Sequence, residues 1–138
     1  MSQAAFIDSG AFIAFLLRSD RLHGDVVSLF AERPQTWYTS VLVISETYSW
    51  FLHRLGEEAA QTFRALLDRM TGLEVLDADA DHRAAVWTKL DDLRGYKLSY
   101  VDASSLVWLE QRQVTTVWGT DRHLAVEGAR VIPGPPTL

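Results

Sequence analysis

The chain has no cysteine among its 138 residues, which excludes disulfides, zinc–thiolate sites and cysteine nucleophiles. No apolar run approaches the roughly 20 residues needed to cross a bilayer. The first residues lack a basic start followed by an apolar segment, so no secretory signal is expected. Internal repeats, low-complexity tracts and interdomain linkers are missing too. Lysine is scarce: Lys89 and Lys97 stand alone beside arginine in a total of 13 basic residues. With 18 acidic residues the formal net charge is −5, which argues against coating of a polyanion by the whole surface. Carboxylates that hold a cation count as negative in that sum, so a nucleic-acid enzyme stays open. At 48% hydrophobic residues, the expectation is one cytoplasmic domain over residues 1–138, with no membrane contact and a flexible tail at 133–138.

What is present is an alternation of strand-like and helix-like segments. Ala4 to Asp8 reads as a short buried strand, and Ser9-Gly10 as the turn leaving it. Apolar Ala11 to Leu17 suits a helix, and Leu22, Val26, Val27, Leu29 and Phe30 recur at helical spacing before Arg33-Pro34 ends the run. Trp37 to Thr39 follows as a strand. Ser40 is a candidate N-cap for a helix to about Leu55, stopped by Gly56. A helix from Glu57 to Met70, a strand over Leu73 to Leu76 and a helix capped by Asp79 or Asp81 come next. The pattern closes with a helix from about Val101 to Gln111, a strand over Thr115 to Trp118, a short helix from Asp121 and an edge strand at Arg130 to Ile132. Strands alternating with helices predict an α/β fold with a mainly parallel sheet flanked by helices. Phe6, Phe12, Phe15, Phe63, Trp87 and Trp108 fall at core-compatible spacings.

Four acidic residues interrupt apolar elements: Asp8, Glu46, Asp102 and Asp121. A carboxylate at such a place must be solvated, paired or bound to a cation. In an open α/β sheet, ligands bind beyond the carboxyl ends of the strands, where Asp8 and Asp121 are expected to emerge. Asp102 near a helix start and Glu46 in the second turn of its helix can face the same space. Taken singly, Asp102 and Asp121 also serve as helix-terminal acids, and Glu46 as an ion-pair partner. Taken together, four converging carboxylates would repel one another unless a cation bound them. Hard oxygen donors without cysteine favour Mg2+ or Mn2+, which suit phosphodiester hydrolysis.

The segments Phe6-Ile7-Asp8-Ser9-Gly10, Thr39-Ser40-Val41 through Ser45-Glu46, Leu98-Ser99-Tyr100-Val101-Asp102 and Gly119-Thr120-Asp121-Arg122-His123 resemble, in order and spacing, the PIN-domain family and its VapC-like toxin ribonucleases. The resemblance implies a three-layer α/β/α sandwich and a metal-dependent endoribonuclease acting on an RNA substrate. It implies Asp8, Glu46, Asp102 and Asp121 as catalytic acids, with Asp8 and Asp102 holding the metal and Glu46 and Asp121 supporting it or holding a second ion. Ser9 matches the hydroxyl residue that orders the site. A homodimer and an antitoxin protein partner are also implied. Where the family often has Ser or Thr two residues before its last Asp, this chain has Gly119.

Arg122 is a candidate phosphate contact or a solvated arginine, and His123 is expected to be structural or exposed rather than a ligand. The alternative to an enzyme is a non-catalytic PIN-like domain that binds RNA or protein. A receiver domain would need an early acidic pair and a late lysine. A covalent phosphatase would need a second Asp where Gly10 stands.

Overall fold

The computed structural model describes residues 4–136. Five strands form one sheet in the order β3-β2-β1-β4-β5: β1 (Ala5–Ile7), β2 (Trp37–Ser40), β3 (Glu74–Leu76), β4 (Thr116–Gly119) and β5 (Arg130–Pro133). Every pairing among them is parallel, with Phe6 opposite both Tyr38 and Val117. Strand β1 is therefore central. Its three residues are buried on both faces, which explains why the segment reads as an unbroken apolar run.

Among the described residues six α-helices cover the sheet: α1 (Ser9–Leu16), α2 (His23–Ala31), α3 (Val41–Leu55), α4 (Glu57–Arg69), α5 (Ala80–Asp92) and α6 (Tyr100–Arg112). The chain steps from β1 to β2 to β3 in one direction and then returns across the sheet to β4. With right-handed crossovers, the first two steps lay α1 to α4 on one face and the return lays α5 and α6 on the other. The packing agrees, since α1 touches α2 and α3, α3 touches α4, and α5 pairs with α6. The result is the three-layer arrangement expected.

Local chemistry sets several boundaries. The Ser40 hydroxyl accepts the Val43 amide at 3.1 Å and starts α3. Gly56, at φ 100°, ends α3 in a conformation that disfavours a side chain. Asp79, the first of the two suggested caps, accepts the His82 amide at 2.8 Å. On the first face Phe12 meets Phe63 edge-on at 5.3 Å and Phe30 meets Trp118 at 5.2 Å. On the other, Val86, Ala103 and Val107 form the seam between α5 and α6.

The structure corrects two expectations. Ser9-Gly10 is no turn: Asp8 is extended, at φ −95° and ψ 169°, and α1 begins directly at Ser9. Trp87 is not a core residue. It is 53% exposed and lies edge-on against Tyr100 at 5.4 Å. Of the segment expected as a tail, Pro133 belongs to β5 opposite Gly119, and the Gly134 amide donates to the Gly119 carbonyl at 3.0 Å. Residues 137–138 of that segment lie outside the described residues. Among the described residues no helix is long and apolar enough to cross a membrane.

Candidate active site

The strand order reverses between β1 and β4, which makes their carboxyl ends the switch point where open α/β sheets place ligands. Asp8 is the residue after β1 and the N-cap of α1, yet its side chain caps nothing. Its backbone amide donates to the Trp118 carbonyl of β4 at 2.9 Å, tying the two strand ends together. Asp8 is only 4% exposed. Burial first, and then the neighbouring charges of Glu46, Asp102 and Asp121, push its carboxyl up to about 7.

Asp102 stands at the third position of α6. It forms a capping box with Ser99, whose hydroxyl accepts the Asp102 amide at 3.0 Å. Its pKa is raised by burial and by the charge of Asp121. Asp121 caps the short 3-10 helix Arg122–Ala125 by accepting the His123 amide at 2.9 Å. The bland roles offered for these two acids are thus real, but they engage only part of each carboxylate. Asp102, Asp121 and His123 can offer three donor atoms all within 4.8 Å of one another. A capping acid and a converging acid are here the same residue.

Glu46 lies on the second turn of α3 and is exposed. It is close enough for its charge to act on Asp8, but it stands outside that tight group. Ser9 is the half-buried first residue of α1. Arg122 is exposed and enters no ion pair among the described residues. His123, expected beside the site as a structural or exposed residue rather than a ligand, lies against two of the acids. Its Nδ1 is 3.1 Å from Asp121 Oδ1 and 3.6 Å from Asp102 Oδ2. The sequence carried a signal for Ser99, whose spacing of three to Asp102 is that of a capping box. For His123 it carried only the nearness to Asp121, since no other histidine stands at ligand spacing and the approach to Asp102 comes from a distant helix.

Two glycines shape the site. A Cβ on Gly119 would lie 3.1 Å from the Asp8 Cβ, so the absence of a side chain there gives Asp8 its room. A Cβ on Gly10 would collide with the Thr120 hydroxyl, so Gly10 lets Thr120 press onto the first turn of α1. In this frame a serine at 119 crowds Asp8. Gly119→Ser should displace Asp8 by a few tenths of an ångström and lower kcat about tenfold, since small misplacements are costly at a reacting centre. Steady-state kinetics check this, and undiminished activity would show that Asp8 does not need the space.

The donor set fits a hard divalent cation: carboxylate oxygens predominate, the chain has no cysteine, and among the described residues no lysine or arginine forms an ion pair with Asp8, Asp102 or Asp121.

Comparison with known proteins agrees with this fold. A family model described as PIN domain matches residues 5–126. The chain is 28% identical over 124 residues to the 23S rRNA-specific endonuclease VapC20 of Mycobacterium tuberculosis, covering 89% of this chain and 93% of the relative. The crystal structure of M. tuberculosis VapC20, described as a sarcin-ricin loop cleaving toxin, gives a TM-score of 0.81 at 25% identity over 91% of this chain and 95% of that one. FitAcB from Neisseria gonorrhoeae shares the fold at a TM-score of 0.65 and 14% identity, over 92% of this chain and 95% of that one.

Proposed function

The chain belongs to the PIN-domain family, and on that premise we propose that it is a divalent-metal-dependent endoribonuclease acting as the toxin of a toxin–antitoxin pair. One observation carries the proposal. Asp102 and Asp121 lie in one tight group with His123, and buried Asp8, outside that group, feels the charges of Glu46, Asp102 and Asp121, four acids from four separate segments near the switch point of the sheet. Structural economy does not require a buried, uncapped carboxylate in that company. The VapC20 relative is named as acting on 23S rRNA, which supports ribosomal RNA as the first substrate to offer.

Asp8 and Asp102 would hold the cation, with Glu46 and Asp121 supporting it or holding a second one. When bound, Mg2+ or Mn2+ supplies charge neutralisation and Lewis acidity toward phosphodiester oxygens and water. The protein's own part is positional. The β1–β4 amide-to-carbonyl bond fixes Asp8, the Ser99 box fixes Asp102, and the 3-10 cap fixes Asp121. Without a cation, the Asp8 carboxyl keeps a proton up to a pH of about 7. Asp121 and Asp102 hold the His123 ring at the half-exposed mouth of the cluster. Ser9, next to Asp8, orders the first turn of α1, and exposed Arg122 meets substrate phosphate. A cytoplasmic homodimer restrained by an antitoxin completes the proposal.

The direct test incubates the purified chain with ribosomal RNA in Mg2+, in Mn2+ and in EDTA. Discrete fragments that require either ion are the expected result. Cutting that is indifferent to chelation, or no cutting with either ion, would remove the proposal.

A further inference from the structure

A cavity of about 260 Å3 opens beside the carboxylates, lined by Gly10, Ile13, Asp20, Arg21, Leu22 and Thr120, with Pro136 at its edge. It shares its wall with the site. Gly10 lies two residues after Asp8, and Thr120, pressed onto Gly10, directly precedes Asp121. The volume falls below the roughly 300–1,000 Å3 of pockets that hold drug-sized ligands, which suits a single planar ring system. Ile13, Leu22 and Pro136 offer apolar walls. Asp20 is turned toward the backbone, where its Oδ1 accepts the Leu22 amide at 2.9 Å. Arg21 is exposed and enters no ion pair among the described residues, so its guanidinium is uncommitted at the mouth.

An RNA strand entering a cluster of carboxylates is repelled along its phosphates in a chain of net charge −5. A cation one nucleotide away from the reacting phosphate offsets that repulsion, and an arginine fork matches phosphate oxygens in pairs. We infer that this cavity is a subsite for one unpaired nucleotide flanking the scissile phosphate, with its base between Ile13, Leu22 and Pro136 and its outer phosphate on Arg21. The inference rests on the proposed ribonuclease activity and adds to it a residue that sets substrate position. Proteins read single-stranded RNA by splaying out its bases and packing them against side-chain faces, most often aromatic ones; here the faces are the aliphatic Ile13, Leu22 and Pro136.

The experiment uses the full chain and a synthetic oligoribonucleotide spanning a site cut in ribosomal RNA, with Asp8→Asn as the inactive control. Arg21→Ala should raise KM about tenfold, with kcat within twofold and the thermal midpoint unchanged. The slope of log KM against log salt should weaken by about 0.7, the share of one single-strand phosphate. Arg21→Lys should recover part of the loss. A neutral 2′-O-methyl methylphosphonate placed at successive linkages should reproduce the KM effect at one position, and there add nothing further in Arg21→Ala. If Arg21→Ala leaves KM and salt slope intact, or lowers kcat alone, while Asp8→Asn abolishes cutting, the subsite is wrong and the nuclease stands. If the unaltered chain cuts no RNA with either ion, the nuclease proposal fails and the subsite falls with it.

Discussion

Asp8→Asn should abolish RNA cleavage to within detection, a loss of at least about a thousandfold in kcat, while making the metal-free protein harder to unfold. The two effects have one cause. Asp8 is buried at the strand end with three other acids in reach, an arrangement that penalises its charge and raises its pKa to about 7. Asparagine keeps the shape and removes the charge. It therefore relieves the repulsion that a cation would otherwise neutralise, and it removes the ligand that would bind that cation. Removing a buried uncompensated charge is worth about 1–3 kcal/mol here, or several degrees in the thermal midpoint for a chain of this size. The midpoint in EDTA at pH 8 and the single-turnover rate in Mg2+ check the two halves. A variant that still cuts, or that unfolds at a lower temperature than the parent, would contradict this account of Asp8. Gains in stability from disabling a site are expected wherever function is built on strain.

The second large effect follows from the same proton. At a pH below about 4, folded and unfolded chains both carry it, and nothing is lost. Between about 4 and 7 the unfolded chain has released the proton, whereas the folded chain has not. Stability of the metal-free protein should therefore fall as pH rises through this window and level off above it. The displacement from 3.8 to about 7 corresponds to at most about 4 kcal/mol, and the raised pKa of Asp102 acts in the same direction. A cation must displace the proton, so its stabilising effect has the opposite dependence on pH. Mg2+ at one fixed concentration, a hundred times its dissociation constant at pH 8, should contribute about 2.7 kcal/mol at pH 8 and no more than about 0.4 kcal/mol at pH 5, where the Asp8 proton competes with it. Thermal midpoints across this range, with EDTA and with Mg2+, are the measurement. A metal-free protein insensitive to pH, or equal stabilisation by Mg2+ at both ends, would show that Asp8 is charged without a cation.

Much of the architecture was legible because local chemistry and global fold agree. Ser40, Gly56 and Asp79 bound their helices as their residue types suggest, and β1 reads apolar throughout because it is covered on both faces. The failures have physical reasons. Gly10 looks like a turn residue, but its missing side chain serves the approach of Thr120, a contact 110 positions away that no local pattern encodes. Trp87 keeps helical spacing yet points outward, because the seam between α5 and α6 is filled by Val86, Ala103 and Val107. The placement of the acids was visible in outline from the strand ends. The tight grouping of Asp102 and Asp121 with His123, and the exposed station of Glu46, depend on how α6 and the 3-10 helix dock. Gly119 read as a missing hydroxyl from the sequence; in three dimensions it is space that Asp8 occupies.

The strand order carries a consequence for synthesis. Strand β1 leaves the ribosome first, but its neighbour β4, which brings Asp121 and the carbonyl that holds the Asp8 amide, is almost the last to follow. At 5–20 residues per second, the 113 positions between Asp8 and Asp121 take roughly 6–23 s to make. Throughout that interval the nascent chain lacks the strand that pairs with the second edge of β1, and the four acids cannot assemble. A protein whose proposed target is the machine that makes it is thereby harmless to that machine until the polypeptide is nearly complete.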